Sequence, residues 1–322
     1  MPTALISSIQ HRLDRFRQQQ RVRAGSLIMT VFGDVVLPRG GRIWLGSLIR
    51  LLEPLGLNER LVRTSVFRLG KEQWLRADAH GRRAEYVLTS SGRLRFEEAS
   101  RHIYASHAPI WDRRWRFILV VRELDARQRD RLCQALQWQG FGSLDNDCFV
   151  HPSTDLEAAF DTLVAEGLSD VMGGLLPLVA ATARTALTGS DADLVARAWN
   201  LDRLAESYTN FVSDYLPILA ELRRDRMASI EPEEAFLLRV LLIHDYRRLL
   251  LRDPELPEVL LPADWPGQTA RMLCRELYRR LTEPSELHLD THLLLADGTV
   301  PERLIEWAHR FPSDDPLASI SA

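Results

Sequence analysis

Residues 58–71 read NERLVRTSVFRLGK, and residues 81–89 read GRRAEYVLT. Asn58 is a favourable N-cap for a helix that begins after it, because its side chain can accept a hydrogen bond from a free backbone N–H. The segment WLRAD, a turn at HGRR and the segment AEYVLT then predict a β-hairpin. The helical period predicts that one face of the helix is buried, formed by Val62, Ser65, Val66 and Leu69.

Further helices are predicted on both sides of this pair. Residues 4–20 have apolar side chains at helical spacing, SLIMTVFGDVVL (26–37) is an apolar helix, and IWLGSLIRLLEPLG (43–56) is another. SGRLRFEEASRHIY (91–104) forms a closing helix after the hairpin. Three helices followed by a β-hairpin are typical of a winged helix-turn-helix.

The charge of the chain is distributed unevenly. Residues 1–104 contain 18 lysines and arginines against 9 aspartates and glutamates, whereas the remaining residues contain 23 and 35. The whole chain has a formal net charge of −3. A basic first third beside an acidic remainder favours a polyanionic partner for the first third alone, and it argues against a pure protein-interaction module.

Outward-facing cations on the helix would give it a DNA-binding surface. A recognition helix docks one face on its own domain and presents guanidinium groups to base edges and phosphates with the other. Arginines at a hairpin tip would contact the flanking DNA backbone or minor groove. An ordinary solvated surface is an equally common role for any single arginine, but helix, hairpin and regional charge together favour DNA binding. The predicted DNA-binding residues are Asn58, Arg60, Arg63, Thr64, Arg68, Arg82 and Arg83.

The rest of the chain predicts two further domains. After the linker PIWDRR, the strand WRFILVVRE begins a βαββαβ order that fits a ferredoxin-like sandwich. From Asp191 onward the pattern is helical almost throughout, with an interruption or kink expected near Pro217. We therefore expect an α+β multidomain protein. Its winged helix-turn-helix domain would occupy residues 1–108, its ferredoxin-like middle domain residues 109–182, and its all-α C-terminal domain residues 183–322.

Several stretches resemble the PaaX family of repressors of phenylacetate degradation operons. They are GDVVLPRGGRIWLGSLIRLLEPLGLNERLVRTSVFRLGKEQWL, GRRAEYVLT, WQGFG, AWNL, LLIHDYRRLLLRDPELPEVLLPADWPG and TARMLCRELYRRL. The resemblance implies the same three-domain order and a homodimer that binds double-stranded operator DNA. It also implies release from the operator by phenylacetyl-CoA. It places the family's Val-Arg-Thr motif on residues 62–64 and its Gly-Arg-Arg hairpin tip on residues 81–83.

An effector of that kind would need an apolar, partly aromatic pocket, together with arginines or helix N-termini for its phosphates. The helical third of the chain contains suitable side chains, although core packing is the commoner role for each aromatic. Arg247 and Arg248 could equally pair with Asp253 or Glu255 at a helix end. The candidate effector-binding residues are Trp199, Tyr208, Phe211, His244, Arg247, Arg248 and Trp265.

No pattern in the sequence predicts catalysis, a metal site or a cofactor. The sequence has no GxSxG, HExxH or P-loop motif, and no GxGxxG motif between a strand and a helix. His244 and Asp245 are adjacent, so their side chains point apart on a helix. The three cysteines are scattered in the manner of reduced packing residues. No apolar run has the length of a membrane span and the N-terminus lacks a signal pattern, so we expect a cytoplasmic protein that is not an enzyme.

Two other functions remain open. A winged-helix regulator of another aromatic pathway would respond to a different acyl-CoA. A nucleic-acid-processing enzyme would use a Cas2-type middle domain, in which a catalytic Asp lies near the end of the first strand. Here WRFILVVRE contains no Asp, and Asp125 after it is a favourable N-cap for the next helix, which makes the enzyme the weaker alternative.

Overall fold

The strands of the structure form a three-stranded and a four-stranded sheet. The computed structural model describes residues 7–19, 22–81, 83–105, 108–183, 189–224, 230–304 and 310–311. The chain divides into two compact units. The first consists of Met1–Ser106, Asn210–Arg247 and Gln268–Ala322, and the second of His107–Thr209 and Arg248–Gly267. The expected division into three successive chain segments stays a prediction.

The helices of the described residues are α1 Ser7–Arg17, α2 Ala24–Val31, α3 Leu45–Leu52, α4 Glu59–Lys71, α5 Ser90–Ile103, α6 Ala126–Trp138, α7 Leu156–Ala165, α8 Asp191–Ala198, α9 Leu201–Arg224, α10 Pro232–Leu250 and α11 Pro266–His292. The strands are β1 Arg42–Trp44, β2 Leu75–His80, β3 Arg83–Leu88, β4 Arg114–Val120, β5 Gly142–Asp145, β6 Cys148–His151 and β7 Leu175–Ala181.

The N-terminal helices of the first unit differ from their predicted form at two places. The apolar segment 26–37 is α-helical only to Val31, after which the chain makes a π turn over Phe32–Val36. A π turn inserts one extra residue into a helical turn, and here it contains the buried carboxylate Asp34. The predicted helix 43–56 begins two residues late, because Ile43 and Trp44 first pair with β3 as part of strand β1.

The predicted hairpin forms from β2 and β3. These strands pair antiparallel from Leu75 opposite Leu88 to His80 opposite Arg83, and β1 pairs with the other edge of β3. Gly81, which follows β2 directly, has φ of 60°, a left-handed conformation that glycine adopts without the steric cost of a Cβ. The β2–β3 hairpin is called the wing below.

The C-terminal helices contribute the rest of the first unit's core. Every residue of α10 from Ala235 to His244 is buried, which is typical of a helix covered on all sides. Helix α9 continues through Pro217, so the predicted interruption is wrong, while the alternative of a kink there stays a prediction. Pro217 is exposed while Tyr215 and Ile218 are buried, and this packing offsets the single helical hydrogen bond that proline removes.

The second unit contains the four-stranded sheet. The order β4-α6-β5-β6-α7-β7 is the βαββαβ order predicted from the sequence, and the strands lie in the order β5-β6-β4-β7 with every pair antiparallel. One sheet face packs against α6 and α7 around Phe149 and Leu136. The opposite face packs through Trp115 and Val150 against α8 and Leu260, while the edge strand β7 is exposed beyond Leu175.

His151 ends strand β6 in a buried position. Its Nδ1 accepts hydrogen bonds from the backbone N–H groups of Ser153 and Thr154, at 3.1 and 2.9 Å. Burial and, to a smaller extent, the nearby Arg116 lower the pKa of His151 to about 4, against the opposing effects of the Pro254 backbone and Glu255. The imidazole is therefore neutral in the folded protein at physiological pH.

We expect acid to destabilise the protein through His151. Its folded-state pKa lies below the ordinary value of 6.5, so the unfolded state binds the proton first as the pH falls. The cost amounts to about 2 kcal/mol by pH 5 and rises to about 3 kcal/mol as the pH approaches 4. Urea unfolding at pH 7.5 and pH 5 of the wild type and His151→Asn measures it. The variant should lose about 2 kcal/mol less between the two pH values.

His80→Asn is the matched control, because His80 is exposed at the end of β2. It should follow the wild type at both pH values. Equal losses in the wild type and His151→Asn would contradict the assignment of the acid sensitivity to His151.

Candidate nucleic-acid interface

Helix α4 is held in place at its start and along one side. The side chain of Asn58 accepts a hydrogen bond from the backbone N–H of Leu61 at 2.9 Å, which confirms it as the N-cap. The predicted buried face is also confirmed, with Val62 and Val66 fully covered and Ser65 half-buried. This face packs against α2. The helix is therefore fixed in rotation, and its opposite face is set toward solvent.

Four side chains form a line along that outward face. Arg60, Thr64, Phe67 and Lys71 follow each other at intervals of three or four residues, which places them one above the other on a helix. All four are exposed. We call these four residues the α4 outer line. It combines two cations, a hydroxyl and an aromatic ring within three helical turns.

The two other arginines of α4 lie beside the outer line and are already ion-paired. Arg63 donates to Glu59 at 2.7 Å, and Arg68 donates to Glu72 at 2.8 Å. Exposed pairs of this kind contribute at most about 1 kcal/mol, so a phosphate can replace the carboxylate at little cost. Among the described residues, Arg60 has no ion-pair partner. The electrostatic field of α4 toward a polyanion therefore comes first from the outer line.

Of the two wing arginines that were predicted to contact DNA, the structure describes one. Arg82 lies outside the described residues. Arg83 is exposed, but its Nη1 donates to the backbone oxygen of Ala296 at 2.7 Å and its guanidinium lies 4.7 Å from the centre of the Trp44 ring. Arg83 therefore holds the wing against other parts of the first unit, and its contact with DNA stays a prediction.

The last residue of α11 and residues 293–304 after it attach to the wing, β1 and α3. The backbone N–H of Trp44 donates to the oxygen of Leu294 at 3.0 Å, and the Ser47 hydroxyl donates to the oxygen of His292 at 2.6 Å. The buried Glu85 accepts from the backbone N–H of Ala296 at 2.7 Å. The C-terminal part of the chain thus packs directly on the elements that carry the candidate interface.

A buried ionic cluster joins the same parts of the first unit deeper in the core. Asp34 Oδ2 accepts from Arg239 Nε at 2.9 Å, and Asp34 Oδ1 accepts from Arg310 Nη1 at 2.7 Å. The hydroxyls of Tyr104 and Tyr278 also donate to Asp34 Oδ1, at 2.5 and 2.9 Å. Burial alone would raise the pKa of Asp34, but Arg239, Arg310 and these two hydroxyls lower it below its ordinary value. The carboxylate is therefore ionised although it is fully buried.

This cluster, which we call the Asp34 cluster, was not among the features predicted from the sequence. A signal was present, because Asp34 is the one charge in SLIMTVFGDVVL and Arg239 is the one charge in AFLLRVLLI. Single opposite charges in two apolar helices predict a buried pair, since an unpaired buried charge is strongly unfavourable. The contributions of Tyr104, Tyr278 and Arg310 carry no comparable signal.

Three of the predicted effector-binding residues belong to the first unit. Phe211 is buried, with its ring centre 4.8 Å from that of Tyr215. His244 Nδ1 lies 3.1 Å from the Thr30 hydroxyl, and Arg247 donates to the Ser26 backbone oxygen and hydroxyl at 3.0 and 2.9 Å. His244 and Arg247 thus connect α10 with α2, the helix on which α4 packs.

The other four candidates belong to the second unit. Tyr208 is buried, donates to Asp253, and has its ring centre 5.9 Å from that of Trp265. Arg248 is exposed. Trp199 donates to the backbone oxygen of Gly140 at 3.0 Å and lines a cavity of about 550 Å³ between the α8 region and residues 259–262. This volume is within the range of small-molecule sites.

The described residues bear on three features that were considered in the sequence: a metal site, Asp125 and a membrane span. They include no group of three side chains that could hold a metal ion. Asp125 Oδ1 accepts from the backbone N–H of Gln128 at 2.8 Å, which confirms it as the N-cap of α6. No helix in this part of the chain combines the length and the apolar character needed to cross a bilayer.

Comparisons with known proteins cover most of the chain. Three family models match it: PaaX-like protein at residues 23–92, the PaaX protein central Cas2-like domain at residues 108–173, and the PaaX-like protein C-terminal domain at residues 199–291. The transcriptional repressor PaaX of Escherichia coli strain K12 is 39% identical over 277 residues, which are 84% of this chain and 85% of the relative. A solved structure of the uncharacterized protein Rv0674 from Mycobacterium tuberculosis superposes with a TM-score of 0.49 at 24% identity, over 75% of this chain and 89% of that one.

Proposed function

The chain belongs to the PaaX family and is a PaaX-type transcriptional repressor, and we propose that it represses phenylacetate catabolic genes until phenylacetyl-CoA releases it from its operator. The main support is the 39% identity to the Escherichia coli repressor over 84% of this chain. The exposed cations of α4 give the repressor role a physical basis, because phosphate contacts supply much of the affinity of proteins for DNA.

DNA recognition in this proposal uses the first unit as a winged helix-turn-helix. Helix α4 enters the major groove with its outer line, and the wing lies beside the flanking backbone. A homodimer places two copies of α4 on an operator with dyad symmetry. The residues proposed for DNA contact remain Asn58, Arg60, Arg63, Thr64, Arg68, Arg82 and Arg83, and the protein acts in the cytoplasm, where the operator is.

The effector in this proposal acts through the packing of the first unit. His244 and Arg247 connect α10 to α2, and α2 supports α4. A ligand that binds one arrangement of α10 more tightly shifts the population toward that arrangement. A shift of α10 then changes the orientation of α4, so the two recognition helices of the dimer no longer match the half-sites.

A mobility-shift titration tests the proposal. The probe is a duplex from the promoter region of the phenylacetate genes, with a scrambled duplex of the same composition beside it. We expect the promoter duplex to bind at least about 10³-fold more tightly than the scrambled one at physiological salt. Phenylacetyl-CoA should release the complex, whereas phenylacetate, free CoA and benzoyl-CoA should leave it intact.

Two results would contradict different parts of the proposal. Equal affinity for promoter and scrambled duplexes would remove the repressor assignment to these genes. Specific binding with release by benzoyl-CoA alone would favour the alternative, a winged-helix regulator of another aromatic pathway that responds to a different acyl-CoA.

A further inference from the structure

The α4 outer line contains an exposed aromatic side chain, Phe67, between its two cations. Phe67 is 62% exposed, although it follows directly on the buried Val66. It lies between Thr64, one turn before it, and Lys71, one turn after it. The Lys71 ammonium is 4.9 Å from the centre of the Phe67 ring. The ring therefore lies among the groups that would meet DNA first.

The rotation of α4 fixes where this ring points. Val62, Val66 and Leu69 are buried, and they occupy the side of the helix that packs on the first unit. Residue 67 lies about 100° around the helix from residue 66, on the side shared with Arg60 and Thr64. Whatever lies against Arg60 and Lys71 therefore also lies against the Phe67 ring.

The chemistry of the major groove supplies one suitable contact for an aromatic ring at that position. Thymine alone among the four bases carries a methyl group at the groove edge, and apolar side chains including Phe contact it there. A lysine over the ring face holds the ring and contributes a charge for the adjacent phosphate. Insertion of a ring between base pairs is typical of minor-groove proteins, whereas in the proposed function α4 enters the major groove.

We propose that Phe67 contacts the 5-methyl group of a thymine in each operator half-site and so determines the base at that position. This inference rests on the proposed function, since it requires that α4 enters the major groove. It adds a specificity-determining residue to the interface, one that reads a base through an apolar contact beside the cations.

The test replaces single thymines of the operator with deoxyuridine, which lacks only the methyl group. The binding site is first located by footprinting, and each thymine is then replaced in turn in both half-sites. We expect one position at which the wild type loses about fourfold in affinity per half-site, the effect of one buried methyl group. In Phe67→Ala the same replacement should change the affinity by less than about 1.5-fold, because the contact is already absent.

Leu94→Ala is the matched control. Leu94 is 55% exposed on α5, so this variant also removes an exposed apolar side chain from the first unit. It should retain the wild-type deoxyuridine profile. Thermal unfolding of both variants should match the wild type, since neither side chain is buried.

Three outcomes would overturn the inference. The first is tolerance of deoxyuridine at every position by the wild type, and the second is a sensitive position that stays sensitive in Phe67→Ala. Equal weakening of operator and scrambled duplexes by Phe67→Ala would also overturn it, because a base contact acts on the operator alone. Absence of any sequence preference in the wild type would instead refute the proposed function, which keeps the two failures distinguishable.

Discussion

Replacing Arg239 with Met should lower the free energy of unfolding by about 3–5 kcal/mol. Arg239 is 1% exposed, and its Nη1 donates to Glu286 at 2.6 Å in addition to its contacts with Asp34. Its removal leaves part of the negative charge of Asp34 and Glu286 buried without compensation. Without Arg239, less positive charge opposes the effect of burial on Asp34. The pKa of Asp34 therefore rises, and its ionised form becomes less favourable.

Urea unfolding of the wild type and Arg239→Met at pH 7.5 measures the effect. Arg223→Met is the matched control, because it removes an arginine from an ion pair with Glu276 that lies on the surface of the same unit. Its side chain is 57% exposed, so we expect a loss of at most about 1 kcal/mol. Equal losses in the two variants would contradict a central role for the Asp34 cluster.

A double variant separates the effect of the buried charges on stability from the effect of the volume that their side chains occupy. Asp34→Leu with Arg239→Met replaces both partners by apolar side chains of similar volume, which often recovers much of the stability lost in a single replacement. We expect the double variant to be more stable than either single variant. The recovery should be incomplete, since Arg310 and Glu286 also contact the cluster.

The Asp34 cluster joins the N-terminal elements of the first unit to its C-terminal helices. Asp34 lies in the π turn that follows α2, while Arg239 belongs to α10 and Tyr278 to α11. The N-terminal elements and the C-terminal helices therefore form one core within the first unit. In the proposed mechanism, an effector that moves α10 acts on α4 through one intermediate helix, because α10 contacts α2 and α2 packs against α4.

Local patterns in the sequence were sufficient for much of the fold. The start of α4 depends on Asn58 alone, and its buried face follows from the spacing of Val62, Val66 and Leu69. The βαββαβ order depends on short apolar runs separated by turns. Each of these features is determined by residues that are close along the chain, so single-sequence reasoning identifies them.

Features that depend on distant partners were not predicted. Strand β1 exists because Trp44 bonds to Leu294 on one side and β3 on the other, and no local signal distinguishes it from a helix start. The continuation of α9 through Pro217 depends on tertiary packing that outweighs a local helix breaker. Arg83 was predicted for DNA on the basis of its hairpin position, and its contact with Ala296 requires the folded C-terminal segment.

The largest expected change in function comes from reversing the two cations of the α4 outer line. We expect Arg60→Glu with Lys71→Glu to lower operator affinity by at least about 100-fold at 0.15 M salt, because both proposed phosphate contacts are lost and two repulsive charges are added. In a dimer the variant removes four such contacts. The slope of log K against log salt should therefore become shallower by roughly 3 to 4.

Arg127→Glu with Arg203→Glu is the matched control, since it changes the net charge equally at two exposed positions of the second unit. In the proposed function the phosphate contacts come from α4, so this control removes none of them, and an added charge that makes no phosphate contact is largely screened at this salt concentration. The control should therefore weaken binding by less than about threefold. If both double variants weaken binding equally, net charge rather than the α4 outer line governs affinity. If Arg60→Glu with Lys71→Glu binds as the wild type does, DNA contacts another surface, and α4 is not the recognition helix.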